Sequence, residues 1–159
     1  MEATPRATPG SSLRFARPAI ALVRAVSTRL DDCLRTTTEP IDPALARAQH
    51  AAYVKVLREL SISVEEVGAS EEHPDGCFVE DTAVVTGAHA LLTLPGAVSR
   101  QREGAEVLPV LARHCQVERM DGLARLDGGD APDPASASPA STRLTRRCSR
   151  NVRMLSSPL

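Results

Sequence analysis

The sequence contains very few aromatic residues. Its 159 residues include no tryptophan, and the aromatic share is 2%, made up of Phe15, Tyr53 and Phe78. Aromatic side chains bury the most apolar area per residue, so a core in this chain has to be packed from alanine, valine and leucine. Because 42% of the residues are hydrophobic, we expect one domain with such a core.

The sequence also lacks paired cysteines and long apolar runs. The four cysteines contain no C-x-x-C pair and have no histidine nearby at metal-binding spacing. The apolar run of residues 19–23 is too short and too far from the start for a signal peptide, and no stretch approaches a membrane span. We therefore expect free thiols, a cytoplasmic location and no membrane partner.

Net charge argues against a nucleic-acid partner. The formal net charge is −1, but residues 131–159 carry five arginines against the single acid Asp133, so residues 1–130 are mildly acidic. An acidic body is not typical of a nucleic-acid binder. The arginines near the carboxyl end are sparse, and they do not change this expectation.

Composition divides the chain into three segments. Residues 1–18 are rich in proline, serine, threonine and arginine, which predicts a disordered leader. Residues 19–130 show regular apolar patterns and form the folded domain. Residues 131–159 lose those patterns, and Pro132 and Pro134 argue against a continuing helix or strand. We expect this last segment to be disordered, and the abrupt change suggests a shifted reading frame or a truncated gene.

Local patterns predict an alternation of strands and helices. Strands are predicted at 19–24, 61–67, 78–85, 89–94 and 116–120, and a loop at 27–40. The clearest helix covers 42–60, where Asp42 can cap it and Pro43 suits its first position. Its predicted buried face consists of Leu45, Ala48, Ala52, Val56 and Leu60. A weaker helix is predicted at 101–114, and Pro109 should kink or shorten it.

The predicted elements repeat once. Helix and strand 45–67 are matched by helix and strand 101–120 at an offset of 53 residues, and an acidic turn follows each pair. Such a period is typical of a modular architecture in which one unit cannot bury its own faces. We therefore predict an α+β fold with about two modules.

The first acidic turn contains Asp75, Glu80 and Asp81 within seven residues. Clustered carboxylates suit a planar guanidinium or amidine, which binds them in bidentate geometry. Three alternatives stay open: a site for Mg²⁺ or Ca²⁺, a non-catalytic cation site, and a merely solvated acidic turn. Glu80 and Asp81 would point to opposite faces of a continuous strand, so they share a site only at a bulge or strand end.

Three motifs together resemble one enzyme family. The segments His73-Pro-Asp-Gly-Cys-Phe-Val-Glu-Asp81, Leu94-Pro-Gly-Ala-Val-Ser-Arg100 and Leu126-Asp-Gly-Gly-Asp130 resemble the dimethylarginine dimethylaminohydrolases. The resemblance covers about residues 19–130. It implies a partial pentein fold, an αβ-propeller of ββαβ modules, and hydrolysis of Nω-methylated arginine to citrulline and a methylamine or dimethylamine. It implies no cofactor and no metal.

The resemblance also implies roles for individual residues. Asp75 and Asp81 would hold the substrate guanidinium, with Glu80 beside them. Arg100 would pair with the substrate α-carboxylate, and the backbone carbonyl of Leu34 would accept from the α-amino group. A sixth residue, Asp127, would orient the catalytic histidine.

The family mechanism needs a cysteine nucleophile and a histidine general acid and base. Neither is matched in this chain, because both lie in later modules of the family. Cys148 lacks the expected glycine-rich context, and Cys77 suits a core position. Cys115 follows the second helix and has no matched role, and His50 and His73 suit structural positions. We therefore expect the chain alone to be inactive. It would be part of a hydrolase, a non-catalytic guanidinium-binding module or an inactive remnant; its oligomeric state stays open.

Overall fold

The computed structural model describes residues 20–131 and 152–154, and the side chains of 152 and 153 are left aside. The predicted disordered leader, most of the predicted disordered segment after residue 131, and Cys148 therefore lie outside the described residues. No helix in the described part of the chain is long and apolar enough to cross a membrane.

The first unit is a strand–helix–strand arrangement. Strand β1 (Ile20–Arg24) and strand β2 (Ser63–Val67) pair in parallel, with Ile20 opposite Ser63, and helix α1 (Pro43–Glu59) connects them. Parallel neighbours need a crossover connection, and a helix supplies it. All five residues of β1 are buried, as expected for a strand covered on both faces.

Helix α1 begins where the sequence predicts. The Asp42 side chain accepts hydrogen bonds from the backbone N–H groups of Ala44 at 2.8 Å and Leu45 at 3.2 Å, which satisfies donors left open in a helix's first turn. The predicted buried face is wrong: its members Leu45, Ala48, Ala52, Val56 and Leu60 are all exposed. The buried face consists of Ala46, His50, Val54 and Leu57. Val54 and Leu57 pack against β1, and Ala46 packs against Leu30 and Cys77.

The second unit follows the same order with one more strand. Strands β3 (Ala83–Thr86) and β4 (His89–Leu92) form an antiparallel hairpin. Helix α2 (Glu103–Leu111) then connects β4 to the parallel strand β5 (Gln116–Arg119). The ββαβ order and the predicted repeat are thus present. Helix α2 contains Pro109 and spans nine residues, shorter than the predicted segment.

Residues 79–82 differ from the predicted strand. They form a 3₁₀-helix, Val79–Thr82, and β3 starts only at Ala83. The Asp81 N–H donates to the Phe78 carbonyl at 3.1 Å, and the Thr82 hydroxyl donates to the Val79 carbonyl at 2.6 Å. These local hydrogen bonds replace the inter-strand hydrogen bonds that a strand at residues 79–82 would make. The β-branched sequence therefore predicted a strand that begins too early.

A short strand from the carboxyl-terminal segment pairs with β1. Strand β6 (Val152–Met154) runs parallel to β1, with Ile20 opposite Val152 and Leu22 opposite Met154. The expectation of disorder over 131–159 is therefore wrong for these three residues. Strand β2 pairs with only one edge of β1, so the backbone N–H and carbonyl groups on the other edge need partners, and β6 supplies them. Met154 also packs against the main core.

The main core lies between the two units. Ile20 and Leu22 of β1 share it with Val79 of the 3₁₀-helix and with Val107 and Leu111 of α2. It contains no aromatic side chain among its buried members, as the composition predicts. Because β1, the 3₁₀-helix and α2 meet here, the core fixes the acidic turn against both units.

Candidate functional site

Two consecutive 3₁₀-helices carry the first group of acids. Asp75 lies in the helix Pro74–Cys77, and Glu80 and Asp81 lie in Val79–Thr82. The Phe78 N–H donates to the Asp75 carbonyl at 2.9 Å, so one tight turn leads into the next. Glu80 and Asp81 therefore lie in a 3₁₀-helix and not in a continuous strand. The alternation that would direct them to opposite faces of a sheet is absent at these two residues, so they can share one site.

Two glycines bring the second acidic turn to the first. A Cβ atom on Gly128 would lie 2.4 Å from the Glu80 carbonyl oxygen, and one on Gly129 would lie 2.5 Å from Asp81 Oδ1. Only glycine permits such a close approach of backbone. The 3₁₀-helix Gly128–Asp130, which starts after Asp127, therefore packs directly on residues 80–83. The structure thus brings the predicted residues Glu80, Asp81 and Asp127 into one region.

Arg100 is held by internal partners. Its Nε and Nη2 donate to Glu103 at 3.0 and 2.9 Å, and its Nη1 donates to Asp81 Oδ2 at 2.8 Å. Only 8% of Arg100 is exposed, and Glu103 is fully buried. Burial acts to lower the pKa of Arg100, but the bonds from Glu103 and Asp81 outweigh burial and raise the pKa. The guanidinium therefore stays charged.

Asp75 connects the turn to the loop of residues 27–40. Its Oδ1 accepts a hydrogen bond from the Leu34 N–H at 3.0 Å, and Asp75 is 6% exposed. The loop is also fastened at Glu71, which accepts from the Ser27 and Thr28 hydroxyls. Leu34 thus lies next to Asp75 through its backbone N–H, whereas the resemblance gives a role to its carbonyl.

A buried arginine, Arg24, contacts the first acidic turn, and the sequence patterns did not predict it. Arg24 ends β1, is 1% exposed, and donates through Nε to the Gly68 carbonyl at 3.2 Å. Its Nη2 bonds to Glu106, and its guanidinium lies against the Cα of Gly76. Burial lowers the pKa of Arg24, and the charge of Glu103 opposes that effect. The only sequence signal is an arginine ending an apolar strand.

The thiols near this site are poorly suited to nucleophilic attack. Burial raises the pKa of Cys77 to about 12. Burial also raises the pKa of Cys33, and the nearby carboxylate of Asp75 adds to the effect. The thiolate is the reactive form of cysteine, so neither residue fits the family's nucleophile. Cys115 is buried in the core.

Three histidines have structural surroundings. His114 is half-buried and lies between α2 and β5, and its Nε2 is 2.7 Å from Glu65 Oε1 in β2. His50 is 5% exposed, and neither ring nitrogen has a hydrogen-bond partner. His73, at 7% exposure, lacks a partner for Nδ1. Burial lowers the pKa of His50, and the charge of Glu66 opposes that shift.

Replacing His50 by leucine is expected to raise the free energy of unfolding by about 1 kcal/mol, because an unsatisfied buried polar ring is removed. Its lowered pKa means that the unfolded state binds the proton more readily. His50 therefore destabilises the fold as pH falls below its unfolded pKa of roughly 6.5. Urea unfolding at pH 7 and pH 5 should show that the free energy of unfolding falls less between these two pH values in the variant than in the unmodified chain.

The matched control is His114→Leu, which removes the ring paired with Glu65 and should destabilise the chain at pH 7. If His50→Leu were as destabilising as His114→Leu, His50 would have a bonding partner that stabilises the fold.

The metal alternative finds no support in the described part of the chain. Among residues 20–131 and 152–154, no group of three or more histidine, cysteine, aspartate or glutamate side chains converges as it would around a metal ion. Asp81 is bonded to Arg100 and Asp75 to Leu34. The acids are thus arranged around nitrogen donors.

Comparison of the sequence with known proteins gives similarity to arginine-modifying enzymes, although no family model matches the chain. A dimethylarginine dimethylaminohydrolase of Streptomyces coelicolor is 42% identical over 113 residues, which cover 69% of this chain and 44% of that enzyme. The corresponding enzyme of Pseudomonas aeruginosa is 33% identical over 91 residues, covering 56% of this chain and 36% of that enzyme. The chain spans less than half of the length of these relatives.

Solved structures agree with the sequence comparison. The Pseudomonas aeruginosa enzyme in complex with citrulline has a TM-score of 0.66 at 30% identity, covering 69% of this chain and 44% of that one. The adduct of a dimethylarginine dimethylaminohydrolase with S-methyl-L-thiocitrulline has a TM-score of 0.67 at 30% identity, with the same coverage.

A cyanobacterial arginine dihydrolase domain shares the fold alone, with a TM-score of 0.59 at 17% identity, covering 67% of this chain and 41% of that one. The described part of the chain therefore has a partial pentein fold, which matches less than half of each of these structures. Over the matched residues the chain is similar to dimethylarginine dimethylaminohydrolases, and it spans less than half of their length.

Proposed function

We propose that this chain forms the guanidinium-recognising part of a hydrolase that converts Nω-methylated arginine and water to citrulline and a methylamine or dimethylamine. One observation carries the proposal: the structure assembles Glu80, Asp81 and Asp127 from two distant turns around a close glycine contact. Carboxylates are the natural partners of a planar guanidinium. Relatives that act on dimethylarginine give the substrate class.

The roles proposed for the site residues follow from the resemblance and the geometry together. Asp75, Glu80 and Asp81 accept from the guanidinium nitrogens, and Asp127 orients the catalytic histidine of the whole enzyme. The carbonyl of Leu34 accepts from the α-amino group. The proximity of Leu34 to Asp75, at 3.0 Å through the Leu34 N–H, supports the placement of both at one site.

Turnover is proposed for the whole enzyme and not for this chain alone. The thiols of Cys33 and Cys77 have raised pKa values because they are buried. His50 has both ring nitrogens buried without a partner. A thiolate and a proton-transferring histidine are what the reaction needs. The chain is therefore proposed to bind substrate without hydrolysing it, and to do so in the cytoplasm, where thiols such as those of Cys33 and Cys77 stay reduced.

Calorimetry with asymmetric dimethylarginine tests binding, and a citrulline assay tests turnover. We expect the chain to bind the ligand, Asp81→Asn to weaken binding by about tenfold through loss of one charge-assisted contact, and no citrulline to form. The matched control is Glu59→Gln, which changes an exposed acid on α1 that pairs with Lys55 at 3.8 Å.

The second candidate is a non-catalytic binder of arginine-like cations, which the internal Asp81–Arg100 pair favours because it shows a guanidinium already bound to this carboxylate. Completing the chain with the remaining part of a related enzyme separates the two candidates. Citrulline formation in the completed protein supports the hydrolase, and binding without citrulline supports the binder. Absence of any binding would contradict both.

A further inference from the structure

We infer that Glu71 is a positioning residue, which holds the loop of residues 27–40 so that the Leu34 carbonyl meets the α-amino group of an arginine-like ligand. The inference rests on the proposed function and deepens it, because it names what places the α-amino contact relative to the acids. Glu71 is exposed and lies shortly before Asp75, on the segment that leads into the first acidic turn.

Glu71 makes four hydrogen bonds to the base of this loop. Its Oε2 accepts from the Thr28 hydroxyl at 2.6 Å and from the Ser27 hydroxyl at 3.1 Å, and its Oε1 accepts from the Thr28 N–H at 3.2 Å. Its backbone carbonyl accepts from Arg29 Nη1 at 3.0 Å. The hydrogen bonds from Thr28 lower the pKa of the Glu71 carboxyl, so these contacts stabilise the carboxylate form.

The backbone of Leu34 is positioned by its neighbours in the chain. The residue is 55% exposed, so apolar packing contributes little to its position, and its N–H donates to Asp75 Oδ1 at 3.0 Å. Between Thr28 and Leu34 the chain passes through a 3₁₀-helix that starts at Leu30, which is fully buried. The chain therefore reaches Leu34 from two fixed points, the Thr28 contact and the buried Leu30.

Both contacts that hold the loop come from the segment that carries the acids. Glu71 bonds to Thr28, and Asp75 bonds to Leu34. The 3₁₀-helix that contains Asp75 is followed by the one that contains Asp81. The loop is thereby fixed relative to the carboxylates that are proposed to hold the guanidinium, and a site gains affinity when its groups are fixed beforehand.

Two other hydrogen bonds of the loop join it to itself. Asp31 Oδ1 accepts from the Ile41 N–H and from Arg35 Nη1, both at 2.7 Å. These bonds preserve the shape of the loop without attaching it to the acidic turn. Removal of the Glu71 carboxylate would therefore leave a loop that keeps its shape but is held less firmly beside Asp75.

Two ligands that differ only in the α-amino group test this role. Calorimetry on the full chain would compare asymmetric dimethylarginine with its counterpart that lacks the α-amino group, 5-(N′,N′-dimethylguanidino)pentanoic acid. Glu71→Ala is expected to weaken dimethylarginine binding about tenfold, the effect of one lost charge-assisted contact, and to leave binding of the counterpart unchanged. Glu71→Gln keeps one acceptor oxygen and is expected to restore part of the lost affinity.

Two further variants isolate the contact between Glu71 and the loop. Thr28→Val removes the hydroxyl that donates to Glu71 and is expected to cause a smaller loss, for dimethylarginine alone. Combined with Glu71→Ala it should add little, because the two residues act through one contact and their effects are not additive. Glu72→Ala is the control, since it removes the same charge from the neighbouring exposed position, and it should leave both affinities unchanged.

A similar loss for both ligands in Glu71→Ala would mean that the variant disturbs the acids or the whole fold. That result would overturn the inference while leaving the proposed function intact, and so would unchanged binding of both ligands. If Glu71→Ala fails to fold, as judged by circular dichroism, Thr28→Val carries the same comparison. Failure of the unmodified chain to bind either ligand would overturn the proposed function together with the inference.

Discussion

Replacing Glu103 by alanine is expected to lower the free energy of unfolding by about 3–5 kcal/mol, the cost of breaking a buried ion pair by removal of one partner. Glu103 is fully buried and bonds to two nitrogens of Arg100. Its charge also favours the protonated form of Arg24. The variant therefore leaves two buried guanidinium groups with less negative charge around them.

Urea unfolding followed by circular dichroism measures this effect. The matched control is Glu59→Ala, which breaks an exposed pair with Lys55 at 3.8 Å and should cost about 0–1 kcal/mol. The double variant Glu103→Met with Arg100→Met should recover much of the loss, because apolar side chains of similar volume can replace a buried pair. If Glu103→Ala lowered the free energy of unfolding as little as the control does, water would have to reach Arg100.

Replacing Gly128 by alanine is the second large expected effect. The new Cβ would lie 2.4 Å from the Glu80 carbonyl oxygen and 3.0 Å from that of Ala83. These are backbone atoms, so the turn itself has to move. Overpacking of this kind costs about 1–3 kcal/mol. Because the displaced turn carries Asp127, we expect affinity for asymmetric dimethylarginine to fall along with stability.

The control is Gly68→Ala, whose added Cβ would meet no atom within 4 Å. Alanine in place of glycine at such a position is expected to raise the free energy of unfolding by about 0.4–1 kcal/mol, because it reduces the conformational freedom of the unfolded chain. Thermal unfolding and calorimetry on both variants test the contrast. Equal stability of the two variants would show that the two acidic turns do not pack as closely as described.

Both predictions concern how the acids are held. Arg100 and Glu103 fix one oxygen of Asp81, and Gly129 approaches the other. Arg24 supports the same turn from β1 through its contact with Gly76. The acids of the proposed site are therefore held by buried charges and a close backbone contact, as the proposed recognition of a planar cation requires.

Much of the fold could be predicted because its signals are local. The Asp42 cap and Pro43 mark the start of α1 within one turn of chain, and the strand–helix–strand order follows from apolar spacing. The three motifs that carry the resemblance lie between residues 73 and 130 and include every acid assigned to the site. The sequence alone therefore predicts Asp75, Glu80, Asp81 and Asp127 as candidate site residues.

The buried face of α1 could not be predicted in the same way. Alanine, leucine and valine surround this helix, so the stripe through Leu45 and Val56 and the stripe through Val54 and Leu57 both fit a helical period. The first stripe is exposed and the second packs on β1 and Ile62. The direction from which β1 and β2 approach decides between them, and that direction is a tertiary property.

The sequence by itself determined the order of the elements, the modular repeat and the set of acidic side chains, because each depends on neighbours within a few residues. Only the tertiary structure decided that residues 79–82 form a 3₁₀-helix, that Arg100 bonds to Asp81 and Glu103, and that Arg24 meets Glu106, 82 residues away in the chain. Partners of buried charges are chosen by packing, which brings distant residues together after local structure has formed.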